Sequence, residues 1–196
     1  MKQLLYTLLA VSIIFSACEK EEEEPTNNTN NNNSGNTTNL AIGDTHQGGI
    51  IFYLDANGGG LISALPISYF NEVEWGCYGT LISEEDGIAI GTGAQNTINI
   101  EAECNTPGTA ADICDNLTLG GYSDWFLPSK DELNEMYLNI GEGNALGLGN
   151  IGDFDNSYWS STERDNNSAW FQDSSDGRQD YSSKGVTFYV RPIRAF

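Results

Sequence analysis

Residues 120–137 read GGYSDWFLPSKDELNEMY and residues 155–163 read DNSYWSSTE, and these two segments decide the fold. They place Trp125 and Trp159 on either side of one predicted helix. Aromatic side chains of this size bury large apolar areas and dominate the energetics of a small core. The rest of the chain is therefore expected to fold around a cluster formed by these two side chains.

The predicted helix between the tryptophans has clear signals at both ends. Ser129 and Glu132 have the S-x-x-E spacing of a capping box, which predicts a helix start at about Lys130. Gly141 is suited to end the helix. The apolar side chains between these limits fall at i, i+3, i+4 and i+7, and they are Leu133, Met136, Tyr137 and Ile140. This spacing predicts a helix that buries one face.

A second helix is predicted just before this segment. Thr109 can cap it, and Asp112 lies near its positive end. Its apolar positions run from Ala110 to Leu117 with the same spacing, and a glycine pair at residues 120–121 ends it. Both predicted helices therefore present one buried face each.

The remaining segments predict strands and one long loop. Two β-rich runs, residues 48–54 and 61–65, flank a Gly/Asn/Asp turn and predict a hairpin. Residues 66–104 lack sustained periodicity, which predicts a functional or cross-linked loop. Its Gly91-Thr92-Gly93 motif lacks the lysine and the following helix of a phosphate loop, so a turn is expected. Strands are predicted around residues 169–171 and 186–196, and Pro192 places the last one at a sheet edge or a kink.

The first 17 residues have the layout of a bacterial lipoprotein signal peptide. Lys2 precedes an apolar run over residues 4–15, and a small-residue pair stands before Cys18. The segment of residues 15–18 resembles a lipobox, in which the cysteine becomes the lipid-modified first residue of the mature chain. An ordinary cleaved signal with an incidental cysteine is the alternative. We expect Cys18 to be a lipid anchor.

The residues after the anchor predict an export signal and a tether. Lys20, Glu21 and Glu22 resemble the Lys-acidic-acidic signal of surface-exported lipoproteins in Bacteroidetes-type bacteria, although a solvated charge run would suffice physically. Residues 26–39 are almost wholly Asn, Thr, Ser and Gly, which predicts a disordered spacer. We therefore expect a signal peptide over 1–17, an anchor and tether over 18–42, and one domain over 43–196.

The charge balance excludes one class of partner. The chain carries a formal charge of −20, and residues 41–196 hold 23 acidic against 6 basic side chains. Binding to nucleic acid depends on releasing counterions to Lys and Arg. We therefore expect a membrane contact through the lipid anchor and no nucleic-acid partner. The composition predicts nothing about the oligomeric state.

Three cysteines follow the anchor, namely Cys77, Cys104 and Cys114. An exported protein favours a disulfide, and three positions allow three single pairings. Cys114 lies on the apolar face of its predicted helix, where a buried thiol behaves as a small hydrophobe. This favours a bridge from Cys77 to Cys104, although the spacing alone leaves the other pairings open.

The sequence lacks the residue patterns of a catalytic or metal site. His46 is the single histidine, and neither a C-x-x-C pair nor a G-x-S-x-G elbow is present. A dyad of carboxylates for glycan hydrolysis cannot be located among so many acidic residues. Two acidic groups lack the order of a calcium loop, and turn formation is the favoured interpretation of both: Asp153, Asp155 and Asn156, and Asp173, Asp176 and Asp180. We expect no enzymatic activity, no cofactor and no metal, and calcium is not indicated.

Several motifs occur in an order that resembles a known bacterial family. They are Gly49-Ile50-Ile51-Phe52-Tyr53, Trp75-Gly76, Gly91-Thr92-Gly93 with Asn96-Thr97, Asp124-Trp125-Phe126-Leu127-Pro128-Ser129-Lys130-Asp131-Glu132-Leu133, Tyr158-Trp159-Ser160-Ser161-Thr162 and Val190-Arg191-Pro192-Ile193-Arg194. Together they resemble the family of unknown function typified by the C-terminal domain of the Legionella collagen-like adhesin, from about residue 43 onward. That family is similar to Fibrobacter major paralogous and C-type-lectin-like domains.

The resemblance implies a fold and a type of function. The implied fold is α+β and C-type-lectin-like, with two helices packed on a small twisted antiparallel sheet with long loops. It implies that six motif residues hold the fold, with Arg191 or Arg194 pairing with Glu132 or Glu163. These six are Trp125, Pro128, Glu132, Trp159, Arg191 and Arg194.

The implied function is adhesion at the outer face of the outer membrane. The Legionella domain is associated with sulfated glycosaminoglycans, which this acidic domain is poorly suited to bind. We therefore expect a neutral glycan or a protein ligand, contacted by seven loop residues: Asp165, Asn166, Asn167, Trp170, Asp173, Arg178 and Tyr181. A structural envelope lipoprotein without a soluble ligand is the alternative, and a carboxylate-based glycan hydrolase is a third.

Overall fold

The computed structural model describes residues 39–65, 72–82 and 87–196. The predicted signal peptide, the anchor Cys18, the export signal at Lys20, Glu21 and Glu22, and the tether up to residue 38 lie outside the described residues. Residues Asn39–Phe196 form one unit by their contacts. No helix in the described ranges has the length and apolarity needed to cross a membrane.

The described residues form an α+β fold with three helices and small antiparallel sheets. The helices are α1 (Gly93–Glu103), α2 (Ala110–Asp115) and α3 (Lys130–Ile140). The strands are β1 (Thr45–His46), β2 (Gly49–Leu54), β3 (Gly60–Ala64), β4 (Val73–Glu74), β5 (Ser157–Asp165), β6 (Ser168–Asp173), β7 (Gln179–Ser183), β8 (Thr187–Phe188) and β9 (Ile193–Ala195). The α+β class is confirmed, whereas the expectation of two helices and one sheet was wrong for these residues.

The strands pair in three separate sheets. The first has the order β1-β2-β3-β9, the second pairs β4 with β8, and the third has the order β5-β6-β7. The predicted hairpin is confirmed as β2 and β3, with Gly49 opposite Ala64. Strand β9 pairs with β3 at the edge of the first sheet, as Pro192 predicted. The first sheet therefore joins the early strands of the unit to its last strand.

Helix α3 begins and ends where its signals predict. The Ser129 side chain accepts a hydrogen bond from the Glu132 backbone, and the Glu132 side chain accepts one from the Ser129 backbone, which completes the capping box. Glu132 Oε1 also accepts a bond of 2.8 Å from the Gly91 backbone N–H, just before α1. One buried carboxylate thus binds backbone donors at the start of two helices.

The interpretation of residues 66–104 as a loop was wrong for its last part, which forms α1. The residues that α1 buries fall at i, i+3, i+4 and i+7, namely Gly93, Asn96, Thr97 and Ile100. Three of these four are not apolar, so hydrophobic periodicity does not reveal the helix. A helix does follow the Gly91-Thr92-Gly93 turn directly, contrary to the prediction. The Glu132 carboxylate lies at the start of that helix.

The two tryptophans are both buried, but they do not form one cluster. Trp159 packs with Trp75, Ile100 and Leu127, whereas Trp125 packs with Ile51, Ile62 and Ala64 in another cluster. Trp75 donates from Nε1 to Ser160 O at 2.9 Å, and Trp159 donates to Val73 O at 3.0 Å. These two bonds fix the segment around Trp75 against β5.

The expected pairing of the arginines with Glu132 or Glu163 was wrong. Arg191 donates to two backbone oxygens, those of Ala64 and Asp153. Arg194 pairs with Asp124 and also donates to Gln47. Glu163 pairs with Lys184 instead, and both side chains are buried. The conclusion that the motif arginines hold the fold does not depend on the identity of their partners.

The predicted disulfide is confirmed between Cys77 and Cys104, whose Cα atoms are 5.7 Å apart. It connects the segment after Trp75 to the end of α1. Cys114 is a buried thiol on α2, and burial raises its pKa well above the usual value. This matches the expectation that Cys114 contributes to packing.

Candidate functional site

The strands β5, β6 and β7 carry the aromatic pair among the predicted ligand residues. Trp170 on β6 lies directly opposite Tyr181 on β7, so both side chains are on one face of this sheet. Their ring centroids are 5.7 Å apart in an edge-to-face arrangement. Trp170 is half-buried, and Tyr181 is 43% exposed. The sheet thus presents two adjacent aromatic side chains to solvent.

Two basic side chains cover these rings. Lys130 Nζ lies 3.8 Å from the centre of the Trp170 ring, and Arg164 Cζ lies 3.3 Å from the centre of the Tyr181 ring. Such cation–π contacts stabilise one orientation of each ring. We refer to Lys130, Arg164, Trp170 and Tyr181 as the aromatic face.

Sequence reasoning missed Lys130 and Arg164. Arg164 follows the buried Glu163 on β5, and strand alternation places it on the opposite side of the sheet. That signal would require a predicted strand that reaches Asp165. Lys130 reaches Trp170 only because the first turn of α3 packs on this sheet, where Gln179 Nε2 donates to Lys130 O at 2.7 Å. Local sequence contains no signal for that contact.

Three predicted ligand residues lie in the turn between β5 and β6. Asp165 Oδ1 accepts bonds from the Asn167 N–H at 2.9 Å and from Ser168 Oγ at 2.7 Å. These donors, the Ser168 hydroxyl first, lower the pKa of Asp165. Asn166 O accepts a bond from the Gly79 N–H at 2.8 Å. These groups form and attach the turn, while the side chains of Asn166 and Asn167 are exposed.

Two more predicted residues lie in the turn at the other end of β6. Asp173 Oδ1 accepts bonds from the Ser175 hydroxyl at 2.7 Å and from its backbone N–H at 3.0 Å, and these lower the pKa of Asp173. Arg178 pairs with Asp180 at 3.0 Å. Six residues of strand separate the two turns by roughly 20 Å. The seven predicted residues therefore occupy two turns with the aromatic pair between them.

The exposed positive charge of the described residues is concentrated in this region. Lys184, Arg191 and Arg194 are at most 9% exposed. The other basic side chains in the described ranges are Lys130, Arg164 and Arg178, which belong to β5, to the β6–β7 turn or to the helix turn packed on the sheet. The Arg164 guanidinium lies 4.0 Å from the Asp165 carboxylate, and Arg178 forms an ion pair with Asp180. Acidic neighbours thus offset much of this charge.

The described residues contain no group of three or more His, Cys, Asp or Glu side chains that could hold a metal ion. His46 packs edge-to-face on Phe196 at 4.7 Å between ring centres. Asn156 donates to Asp155, so part of this acidic pair is used within its own loop.

The comparisons with known proteins identify a family and a similar solved structure. The model of the Lcl C-terminal domain matches residues 77–194. No curated protein matches this chain. A crystal structure of a fimbrial protein from Bacteroides ovatus is similar over 79% of this chain, at 16% identity and a TM-score of 0.48. The match covers 45% of that protein, so the chain spans about half of its length.

Proposed function

Because the chain belongs to the Lcl C-terminal domain family, we propose that it is a lipid-anchored adhesion module displayed on the outer membrane. In this proposal the domain has a C-type-lectin-like fold and binds a neutral glycan without catalysing a reaction. The aromatic face is the surface that contacts the ligand.

The observation that carries this proposal is the pair of adjacent rings formed by the half-buried Trp170 and the 43% exposed Tyr181. Tyr and Trp give large, rigid contact areas at a low cost in side-chain entropy, and they are common at binding surfaces. A sugar ring has an apolar C–H face that packs on such rings, while its hydroxyl groups need polar partners nearby. The exposed side chains of Asn166, Asn167 and Arg178 supply polar groups at the two ends of the sheet.

The charges favour a neutral ligand over a polysulfated one. Arg178 is already bonded to Asp180, and Arg164 lies beside Asp165. A polysulfated chain requires several basic side chains without acidic neighbours. Within residues 41–196, however, acidic side chains outnumber basic ones by 17. The aromatic face therefore offers ring contacts and hydrogen bonds more than net positive charge.

Three features support the lectin-like part of the proposal. Helix α3 begins with the capping box, and Trp159 of β5 is fully buried. Strands β1 and β9 belong to the same sheet, so segments near both limits of the unit come together. The first two features involve Glu132 and Trp159, which the resemblance implied to be residues that hold the fold.

A glycan array with the chain from Glu19, which omits the predicted signal peptide and Cys18, tests the proposal. We expect a neutral glycan to bind, and Trp170→Ala and Tyr181→Ala each to weaken its binding by about tenfold or more. Tyr78→Ala is the matched control, because Tyr78 is 63% exposed and lies outside the aromatic face. Thermal unfolding checks that each variant is folded.

Three outcomes would contradict this proposal. No binding to any glycan, with or without calcium, would favour a structural envelope lipoprotein. Equal glycan binding by both aromatic variants would move the site away from β5–β7. Hydrolysis of a glycan that one carboxylate substitution abolishes would instead identify an enzyme.

A further inference from the structure

A cavity of about 270 Å³ opens beside the β2–β3 hairpin, outside the aromatic face. One wall consists of Tyr53, Asp55 and Leu61 on the hairpin together with Phe196. Ile90, in the segment before α1, also lines the cavity. We propose that this cavity binds a single neutral monosaccharide residue and is a second sugar subsite of the domain.

The size of the cavity suits one sugar ring. Pockets for drug-sized ligands range from about 300 to 1,000 Å³, so this cavity lies just below that range. At about 30 Å³ per water molecule it has room for roughly nine waters, which a ligand of a dozen heavy atoms would replace. An oligosaccharide would extend beyond it.

Phe196 provides the aromatic wall, and glycine makes its position possible. A Cβ atom on Gly60 would lie 3.0 Å from Phe196 Cζ, so the ring packs directly over the hairpin backbone. His46 contacts the same ring edge-to-face, and backbone bonds join Phe196 to Gly60 in both directions. The ring is thus held in place without a ligand, which lowers the entropy cost of binding.

Asp55 provides the polar group on the same wall. Its Oδ1 accepts bonds from the Asn57 N–H at 2.6 Å and the Gly59 N–H at 3.0 Å, which fix the carboxylate at the mouth of the cavity. Within the described contacts Oδ2 has no hydrogen-bond donor. A carboxylate oxygen beside an aromatic ring can accept from a sugar hydroxyl while the ring packs on the C–H face, and such charge-assisted bonds are strong.

The segment that carries Ile90 is also held in place. Asp131 donates from its backbone to Ile88 O at 3.0 Å, and Gly91 donates to Glu132. Ile90 is 37% exposed and lines the cavity, so it contributes an apolar side chain. The cavity is therefore formed before any ligand arrives, with apolar walls and one oriented carboxylate.

Saturation-transfer NMR with the chain from Glu19 tests this inference, using methyl glycosides of glucose, galactose, mannose, fucose and N-acetylglucosamine. We expect at least one glycoside to bind, and Phe196→Ala to raise its Kd by about tenfold. Asp55→Asn should raise the Kd about fivefold, since asparagine can keep the two turn bonds but loses the charge. Asp44→Asn is the control, because Asp44 caps an exposed turn away from the cavity.

The results separate this inference from the proposed function. Loss of binding in the two cavity variants, with normal binding in Trp170→Ala, supports the cavity. Absence of binding to every glycoside, or Kd values in Asp55→Asn and Phe196→Ala that equal the wild-type value, would overturn it. Glycoside binding that only Trp170→Ala removes would overturn the cavity and support the aromatic face.

Discussion

Lys184 and Glu163 form an ion pair that is almost fully removed from solvent. Their side chains are 0% and 2% exposed, and Lys184 Nζ also donates to Thr80 O at 2.8 Å. The ammonium lies 4.5 Å from the centre of the Trp75 ring, and the Glu163 carboxylate accepts from the Ile82 N–H. Replacing only one member of such a pair is costly, because the charge of the other member stays buried.

We predict that Lys184→Met lowers the free energy of unfolding by about 3–5 kcal/mol. Urea denaturation measures this. The double variant Lys184→Met with Glu163→Gln should show a smaller loss in the free energy of unfolding, because the buried charge is gone while the Ile82 N–H keeps an acceptor. The control is Arg178→Met, which removes an exposed pair and should cost less than about 1 kcal/mol. A loss below 1 kcal/mol for Lys184→Met would show that water reaches the pair.

Glu132 is a buried carboxylate whose environment acts on its pKa in two directions. Burial raises the pKa above 4.5, and the backbone donors at Ser129 and Gly91 partly offset the increase. The folded state therefore holds the proton of Glu132 more tightly than the unfolded state does. Proton binding by Glu132 thus stabilises the fold, and this stabilisation is complete below pH 4.5. It is lost as the pH rises through the folded-state pKa.

We predict a characteristic pH dependence for Glu132→Gln. Glutamine leaves one of the two backbone N–H groups without an acceptor, so the variant should be less stable by about 1–3 kcal/mol. The advantage of the wild type should shrink as the pH rises from below 4.5 to 7, because only the wild type must bury a charge. Urea denaturation of both proteins across this range measures the difference. An advantage that grows with pH would show that the backbone donors outweigh burial.

At the scale of elements, α1 is held by polar contacts. Asn96 donates to Gly87 O at 2.7 Å and to Ser161 Oγ at 3.1 Å, and its Oδ1 accepts from the Gly87 N–H. Thr97 Oγ1 accepts from the Leu127 N–H at 3.0 Å. These two side chains thus attach α1 to Gly87 in the segment before it, to Leu127 in the segment before α3 and to Ser161 on β5, through polar contacts where most helices use apolar packing.

We predict that Asn96→Ala lowers the free energy of unfolding by about 1–3 kcal/mol, since it leaves the Gly87 N–H without an acceptor, while Gly87 O keeps its bond from Thr162 Oγ1. Asn99→Ala on the same helix is the control. Asn99 is only half-buried and accepts one bond from Gln95, so its loss should stay within about 0.5 kcal/mol. Equal losses in the two variants would mean that the buried hydrogen bonds of Asn96 do not stabilise α1 more than the exposed bond of Asn99 does.

The elements that the sequence predicted are those whose signals are local. Helix α3 has its cap, its apolar stripe and its terminal glycine within one segment, and the hairpin has its turn between two apolar runs. Helix α1 was missed because its buried face is mainly polar. The aromatic face was half predicted, since Trp170 and Tyr181 were recognised, whereas the contact of Lys130 depends on how α3 packs on the sheet.

At the scale of the whole molecule, the proposed anchor and the acidic domain are compatible. The formal charge of −17 over residues 41–196 repels anionic lipid headgroups, so the domain surface adds little membrane affinity of its own. Attachment would then depend on the lipid at Cys18 alone, and Cys18→Ala should release the protein from the membrane fraction. Orientation would depend on the residues that follow Cys18.

We predict that protease shaving of intact cells removes the wild-type domain. Replacement of Lys20, Glu21 and Glu22 by alanine should leave the protein in the membrane fraction but protect it from the protease, because anchoring continues while export to the outer leaflet stops. Glu24→Ala is the control, since it changes the net charge by the same +1 without altering the signal. Equal shaving of both variants would show that the acidic run acts only as a solvated spacer, and that surface display has another cause.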